Sequence, residues 1–457
     1  MPVYKPSVSK LILLIIMLCF ATSSFSQSVI SGTIRDYTGR KLVLSILRGD
    51  KQISIDSSYT NAEGSFTFHM PASAIRGMYL LKTSSGNSIR IIYNHKPVRL
   101  ISGGFSDQDV VDFVGSDENR LWYDYYFLSK TTQYLQDLLK PILQEYPEAS
   151  DFIDQARNEF NRLQVELHAM ADKIIIENPN TLAAKFIQAD LIPALDLKLS
   201  MDEQRQKLIQ DFFMKVDFTD TTLIYSDILT RKMIDFLALH QRQGMSMAEL
   251  QIAFMKGIDV ILSHASTNDR MYVFAVTYLI RGFSGMGMNV VSDYLSTLPH
   301  LNISCMEPAV MDELQQSILP YQKIVVGAPA PDINTIDIQG NPFNLNEIKS
   351  GLTVILFWST TCPHCLELLP ELKKLAADKN ILVVSVVIGP NDKTLRDLID
   401  AEKLNWIHIA DSRGWEAPWV NDYVVFATPT MFLINKDKTI VGKPINIEEL
   451  QGMMPLK

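Results

Sequence analysis

Phe357-Trp358-Ser359-Thr360-Thr361-Cys362-Pro363-His364-Cys365 is the stretch whose reading decides the fold. The apolar run Leu352 to Trp358 leads into it with the composition of a buried strand. A short polar loop then carries Cys362, and a helix is expected to begin near Pro363. Proline suits a first helical position, because its missing N–H would have had no intrahelical partner there. A helix starting at that point aims unpaired N–H groups and the positive end of its dipole at the Cys362 sulfur. Both effects favour the thiolate, which is the species that attacks disulfides. Cys365 lies three residues on, one turn into the helix, in reach of a mixed disulfide formed on Cys362. Zinc sites and plain structural disulfides share this spacing. A structural zinc site needs four ligands, and no second Cys-x-x-Cys or nearby histidine pair accompanies this one, since His300 and His408 stand alone. The redox dithiol is the favoured reading, with the structural disulfide and zinc as alternatives.

Working outward, the segment from 326 to 457 alternates strand and helix patterns. A helix is expected from His364 to about Lys379 and a near-continuous apolar strand from Ile381 to Ile388. Thr394 to Lys403 reads as a helix and Ile407 to Ala410 as a short strand. Thr430 to Ile434 and Thr439 to Gly442 flank a turn at Asn435-Lys436-Asp437-Lys438, and Ile447 to Met454 closes as a helix. This alternation implies an α/β layer structure. The proline-rich Gly327-Ala328-Pro329-Ala330-Pro331-Asp332 marks its start.

The rest of the chain reads differently. Residues 27–116 show period-two alternation, as in Phe66, Phe68 and Met70 or Ile89, Ile91 and Tyr93, with glycines between the runs. Such short strands suggest a small β-sandwich or barrel. Residues 117–325 read as helical. Phe152, Ala156, Phe160, Leu163, Leu167, Met170 and Ile174 form one apolar face, and a preceding helix is expected to end near Pro141. Twelve of the 19 methionines lie between residues 118 and 322. Methionine fills irregular cores and also serves adaptable binding surfaces. The fold class is therefore multidomain: a small all-β N-terminal domain, an α-helical middle region and a C-terminal α/β domain.

Residues 1–26 have the pattern of a secretory signal peptide, with Lys5 and Lys10, the apolar run Leu11 to Phe20, and small residues up to Ser26. A periplasmic location follows, with a membrane tether if the signal stays uncleaved. Cys19 has Leu18 before it, where a lipoprotein signal needs a small residue. With 457 residues and a formal charge of −9, the chain lacks the basic excess of a nucleic-acid-binding protein. Its four cysteines are too few for a disulfide scaffold. Cys305 reads as a buried, inert thiol.

From about residue 327 the sequence resembles the thioredoxin superfamily, specifically the TlpA/ResA-like extracytoplasmic thiol–disulfide oxidoreductases. Gly327 to Asp332, the turn at Gln339-Gly340-Asn341, Phe357-Trp358 before the two cysteines, Pro370 and Thr428-Pro429-Thr430 carry the likeness. The N-terminal region, through Asp56-Ser57 and Gly64-Ser65-Phe66, resembles a poorly characterised β-domain that precedes such domains.

The resemblance implies a thioredoxin-like fold. It makes Cys362 the nucleophile and Cys365 the resolver, with Pro363 and His364 as the active-site loop. It implies a cis peptide before Pro429 that leaves Thr428 to face a client, and Trp358 as a support beneath the loop. No cofactor beyond the Cys362–Cys365 disulfide is expected, and no metal. The partners would be protein thiol or disulfide clients and a separate recycling protein.

Two departures stand out. Leu356 occupies the place of thioredoxin's buried acid, and Pro390 follows Gly389 where some relatives have a glutamate. Glu367, Asp411, Glu416 and His364 are the remaining candidate proton acceptors. The Pro363-His364 pair resembles the loop of DsbA-like oxidants, so a protonated His364 near Cys362 would favour the thiolate. Trp415 and Trp419 could form an apolar rim around the dithiol. The competing functions are a binding or assembly protein with a structural or sensory redox domain, and a peroxiredoxin-like peroxidase.

Overall fold

The computed structural model describes residues 28–106, 110–146, 150–298 and 307–454. The expected signal peptide, Cys19, His300 and Cys305 lie outside the described residues. The chain divides into two compact units, one ending at Lys232 and the other running from Met233 to Lys457. The helical region is thus shared between them.

In the first unit eight strands come in chain order: β1 (Val29–Ile34), β2 (Lys41–Arg48), β3 (Lys51–Tyr59), β4 (Ser65–His69), β5 (Gly77–Thr83), β6 (Ser88–Tyr93), β7 (Val98–Ser102) and β8 (Val111–Val114). They form two four-stranded sheets, ordered β4-β1-β7-β8 and β3-β2-β5-β6. Ile30, Phe68 and Leu100 from one sheet and Leu44, Leu81 and Ile91 from the other share one buried cluster. Period-two alternation places such residues on one face of each sheet, and the outcome is a β-sandwich.

Helices α1 (Asp117–Glu145), α2 (Asp151–Glu177), α3 (Leu182–Asp190) and α4 (Met201–Asp211) follow. Asn119 at the start of α1 exchanges hydrogen bonds with both backbone groups of Ile92, which fastens the helix to β6. The expected stop at Pro141 does not occur: α1 runs on to Glu145, with Pro141 inside it. Proline removes one hydrogen bond, and near a helix end one more turn still forms. In α2 the buried face begins at Ile153 rather than Phe152, whose ring packs edge-on against Tyr146 at 5.1 Å.

Across the division runs α5 (Ile228–Ala238), and the second unit continues with α6 (Met247–Ala265), α7 (Asp269–Gly285), α8 (Asn289–Ser296), α9 (Pro308–Ser317) and α10 (Leu319–Gln322). Ser246 opens α6 with a capping box to Glu249, which satisfies two otherwise unpaired N–H groups. Among the described residues no helix is long and apolar enough to cross a membrane.

The α/β part contains β9 (Asn334–Ile336), β10 (Pro342–Asn344), β11 (Leu352–Trp358), α11 (Pro363–Lys379), β12 (Leu382–Ile388), α12 (Lys393–Glu402), β13 (Ile407–Asp411), α13 (Pro418–Asp422), β14 (Thr430–Asn435), β15 (Ile440–Gly442) and α14 (Ile447–Gly452). Its main sheet is ordered β13-β12-β11-β14-β15. β11 is central, parallel to β12 and antiparallel to β14. One face buries Phe357, Ile409 and Trp419; the other buries Leu356, Trp358, Cys365 and Leu369.

The helices α7–α10 are not a detachable leader to this sheet. Ile324, just after α10, sits in the core on the Phe357 face. Lys443 after β15 is buried and pairs with Asp293 of α8. Burial pulls its ammonium below the ordinary lysine range, and Asp293 opposes that shift. Asn289 donates to the Lys443 carbonyl at 2.7 Å.

Candidate functional site

The seven residues of β11, apolar apart from Thr353, run through the middle of the sheet, and all but Leu352 are buried. After Trp358 the chain leaves the sheet through Ser359, Thr360 and Thr361. The Cys362 N–H donates to the Ser359 carbonyl at 3.2 Å. Cys362 is the cap residue of α11, and Pro363 takes the first helical position. The Cys365 N–H donates to Cys362 Sγ at 3.2 Å. That is the contact the sequence implies: an amide from the first helical turn pointing at the sulfur.

Cys362 and Cys365 are joined by a disulfide, with Cα atoms 5.2 Å apart. Their surroundings differ. Cys365 is 0% exposed and belongs to the core with Trp358 and Leu369, whereas Cys362 only edges that core. Cys362 is therefore open to attack from outside, and Cys365 is not. The Thr428 carbonyl lies 3.4 Å from Cys362 Sγ, a distance at which the reduced thiol donates a hydrogen bond. The Thr428–Pro429 peptide is cis. The structure thus brings together Cys362, Cys365, Pro363, Thr428, Pro429 and Trp358.

Trp358 is fully buried, and its indole Nε1 donates to Ser385 Oγ at 2.6 Å. Sequence reasoning passed over Ser385, yet a signal was there: it is the one polar residue in the apolar run Leu382–Ile388. Its neighbour in register on β13 is His408. This imidazole is buried, with Nε2 3.0 Å from the Leu404 carbonyl and Nδ1 lacking a partner. The carbonyl can only accept, so Nε2 carries the proton.

Burial lowers the His408 pKa from its ordinary 6.5. The sign follows by linkage: below 6.5 the unfolded chain gains a proton that the folded chain does not yet accept, so stability falls as pH drops through that window. His408→Gln is expected to flatten this part of the profile. The check is the urea midpoint at successive pH values below 7; an unchanged slope refutes it.

Other expectations fare differently. The His364 side chain is 83% exposed, with Nδ1 3.7 Å from Glu367 Oε2. It faces water and a carboxylate, so the imidazolium beside the sulfur is not found. Trp419 is buried in the core, with the Arg413 guanidinium 6.0 Å from its ring centre. Only Trp415 of that pair is exposed. Of the candidate proton acceptors, Asp411 is committed to Arg413, whose hydrogen bonds hold its carboxyl below the usual range. Glu367 and Glu416 are exposed. None of the four shares the buried surroundings of Cys365. Among the described residues no group of three or more His, Cys, Asp or Glu could hold a metal ion.

Comparison with known proteins agrees with this geometry. Residues 325–449 match the family model described as Redoxin. The chain is 24% identical over 139 residues to the thiol-disulfide oxidoreductase ResA of Bacillus thuringiensis (strain Al Hakam), a match that spans 29% of this chain and 79% of that protein. It is 28% identical over 113 residues to the sporulation thiol-disulfide oxidoreductase A of Bacillus subtilis (strain 168), covering 22% of this chain and 66% of that one. Among solved structures, a domain of a possible thiol-disulfide isomerase from Cytophaga hutchinsonii matches at 26% identity and a TM-score of 0.26, over 28% of this chain and 90% of that one. A strand-to-helix Cys-x-x-Cys with one buried sulfur, a cis-proline at its side, the Redoxin match and the ResA relatives converge: residues 325–449 form a Redoxin, thioredoxin-like domain similar to the ResA-type thiol–disulfide oxidoreductases.

Proposed function

We propose that the protein works outside the cytoplasm, exchanging disulfides with protein clients through Cys362 and Cys365. The observation that carries this reading is the unequal pair: Cys362, reachable and bonded by the Cys365 N–H, beside a Cys365 sealed in the core. The chemistry then runs in one order. In the reducing direction the Cys362 thiolate attacks one client sulfur and the other leaves as thiolate. Cys365 then attacks Cys362 Sγ, which releases the client dithiol and closes the enzyme disulfide. Two electrons pass from enzyme to client, and the oxidising direction reverses each step.

The chemistry needs no metal or cofactor, because the electrons reside on the two sulfurs and a separate redox protein restores them. The leader pattern of residues 1–26 supports a periplasmic place of action. The β-domain (27–116) and helical region (117–325) hold or select the client for the domain at 326–457.

Because His364 stands in water beside Glu367, solvent and counter-ions would screen any charge it carried from Cys362. The potential is proposed to lie between the ~−270 mV of thioredoxin and the ~−120 mV of DsbA, and a water-facing His364 favours the lower part of that range. Equilibration with a glutathione buffer measures it, and a DsbA-like value refutes this placement.

The function is tested with Cys365→Ser. An exchange enzyme lacking its resolver accumulates mixed disulfides through Cys362, visible as adducts on non-reducing gels of periplasmic extract. No adducts, with the wild-type pair permanently oxidised, would favour a binding protein with a structural disulfide. Rapid reduction of hydroperoxide with no protein adducts would favour a peroxidase.

A further inference from the structure

A pocket of about 400 Å³ opens between helix α1 and strands of the β-sandwich, wholly within the first unit. α1 supplies Trp122, Tyr123, Tyr126, Phe127 and Lys130; Arg90 of β6 and Phe105, just after β7, also line it. Residues four apart stand one above the other on a helix, so Trp122, Tyr126 and Lys130 make one row and Tyr123 and Phe127 the next. The result is a stripe of four rings that ends in an ammonium. The pocket shares no residue with the dithiol site.

The stripe is anchored at one end and open at the other. Trp122 is 1% exposed, and its ring lies 6.2 Å from that of Tyr126 with the planes 28° apart. The Tyr123 phenol donates to the Arg90 carbonyl at 3.1 Å, which ties the helix to β6. Phe127 is 46% exposed, so a large apolar ring stays in water at the mouth. The charge is uneven too. The whole chain carries a formal −9, yet among the described residues that line the pocket two are cations and none is acidic. Arg90 is held by Asp227 at 2.8 Å. Lys130 places its ammonium 5.8 Å from the Tyr126 ring centre and has no carboxylate partner among the described residues.

We propose that this pocket binds a small aromatic anion, a flat molecule of one or two rings bearing a carboxylate or sulfonate. Its rings lie against the stripe and its anionic group meets Lys130. Aromatic side chains favour a second ring set offset or edge-on against them. Alone they would also suit an organic cation, but Lys130 and Arg90 repel one. The volume falls in the range of small-molecule sites. The proposal goes beyond disulfide exchange: it makes the β-domain and α1 a receptor for a soluble ligand.

The test uses the full chain and two fluorescent probes: anilinonaphthalene sulfonate, and phenylnaphthylamine, which carries the same rings without the sulfonate. The sulfonate is expected to bind saturably, one molecule per chain, and more tightly than the neutral amine. Lys130→Gln should weaken the sulfonate roughly tenfold, the loss expected of one hydrogen bond to a charged group, and leave the amine unchanged. Phe127→Ser should weaken both probes. Tyr134→Ser, at a position 65% exposed two turns further along α1, should keep both affinities. Far-UV circular dichroism checks that each variant is folded, and if Phe127→Ser is not, Lys130→Gln with the two probes decides. Choline, a cation that aromatic faces alone would take, should not displace the sulfonate. Equal affinity of the wild type for the two probes, sulfonate binding unchanged in Lys130→Gln, or displacement by choline overturns the proposal.

Discussion

Cys362→Ser is expected to abolish disulfide exchange altogether, whereas Cys365→Ser should still complete the first attack and stop there. The asymmetry follows from burial. Removing Cys362 leaves one thiol in the site, and that thiol is 0% exposed among Leu356, Trp358 and Leu369. It cannot meet a client sulfur unless the helix start opens. The serine hydroxyl stays protonated at neutral pH and is a poor nucleophile without an adjacent base, and no base lies among the hydrogen-bond partners of Cys362. Insulin reduction with a chemical reductant measures turnover, and mass spectrometry of a glutathione mixed disulfide measures the first attack. Adduct formation in Cys362→Ser at the rate of Cys365→Ser would show that the buried sulfur is reachable, and the assigned order of attack would fail.

Trp358→Ala is the second large effect. The side chain is fully buried at the end of the central strand, directly before the active-site loop. Replacing a buried tryptophan by alanine costs about 3–5 kcal/mol through lost transfer energy and the cavity left behind. Here the cavity would open beside Cys365 and the first turn of α11. The Ser385 hydroxyl would also lose its indole donor, and a buried polar group left unpaired adds about 1–3 kcal/mol where no water enters. The unfolding midpoint in urea should fall sharply. Trp358→Phe keeps most of the volume and should cost clearly less. Equal losses in the two variants would mean that the hydrogen bond to Ser385, not packing, is what Trp358 supplies. A loss below about 1 kcal/mol in Trp358→Ala would contradict the packing role itself.

The α/β domain was legible because its signals are local. The apolar runs of β11 and β12, Pro363 at a helix start and the two cysteines one turn apart each specify their own stretch of backbone. The expected strands and helices match those found within one or two residues. The cis-proline loop needed the resemblance, since nothing near Thr428 by itself points to a sulfur 66 residues earlier. Other features escaped because they are settled between elements. Periodicity gave the stripe on α2 but not whether Phe152 or Ile153 turns inward, which the aromatic contact with Tyr146 decides. Trp419 reads like rim or core equally well from sequence, and only the sheet packed against it settles the matter. The sequence leaves His364 either near the thiolate or pointing outward, because proximity along the chain does not decide proximity in space. On the first turn of a helix its side chain points to water instead. Lys443 is an ordinary lysine in the sequence, and its pairing with Asp293 is visible only in the fold.

That last pair bears on modularity. A redox domain joined to its neighbours by a flexible tether could be cut out and grafted elsewhere as a cassette. This one could not be lifted at residue 326 without consequence. Excision would strip Ile324 from a core and leave the Lys443 ammonium without its counter-ion. Natural recombination that shuffles the domain among host chains would have to carry α8 along or replace Lys443 in the same event.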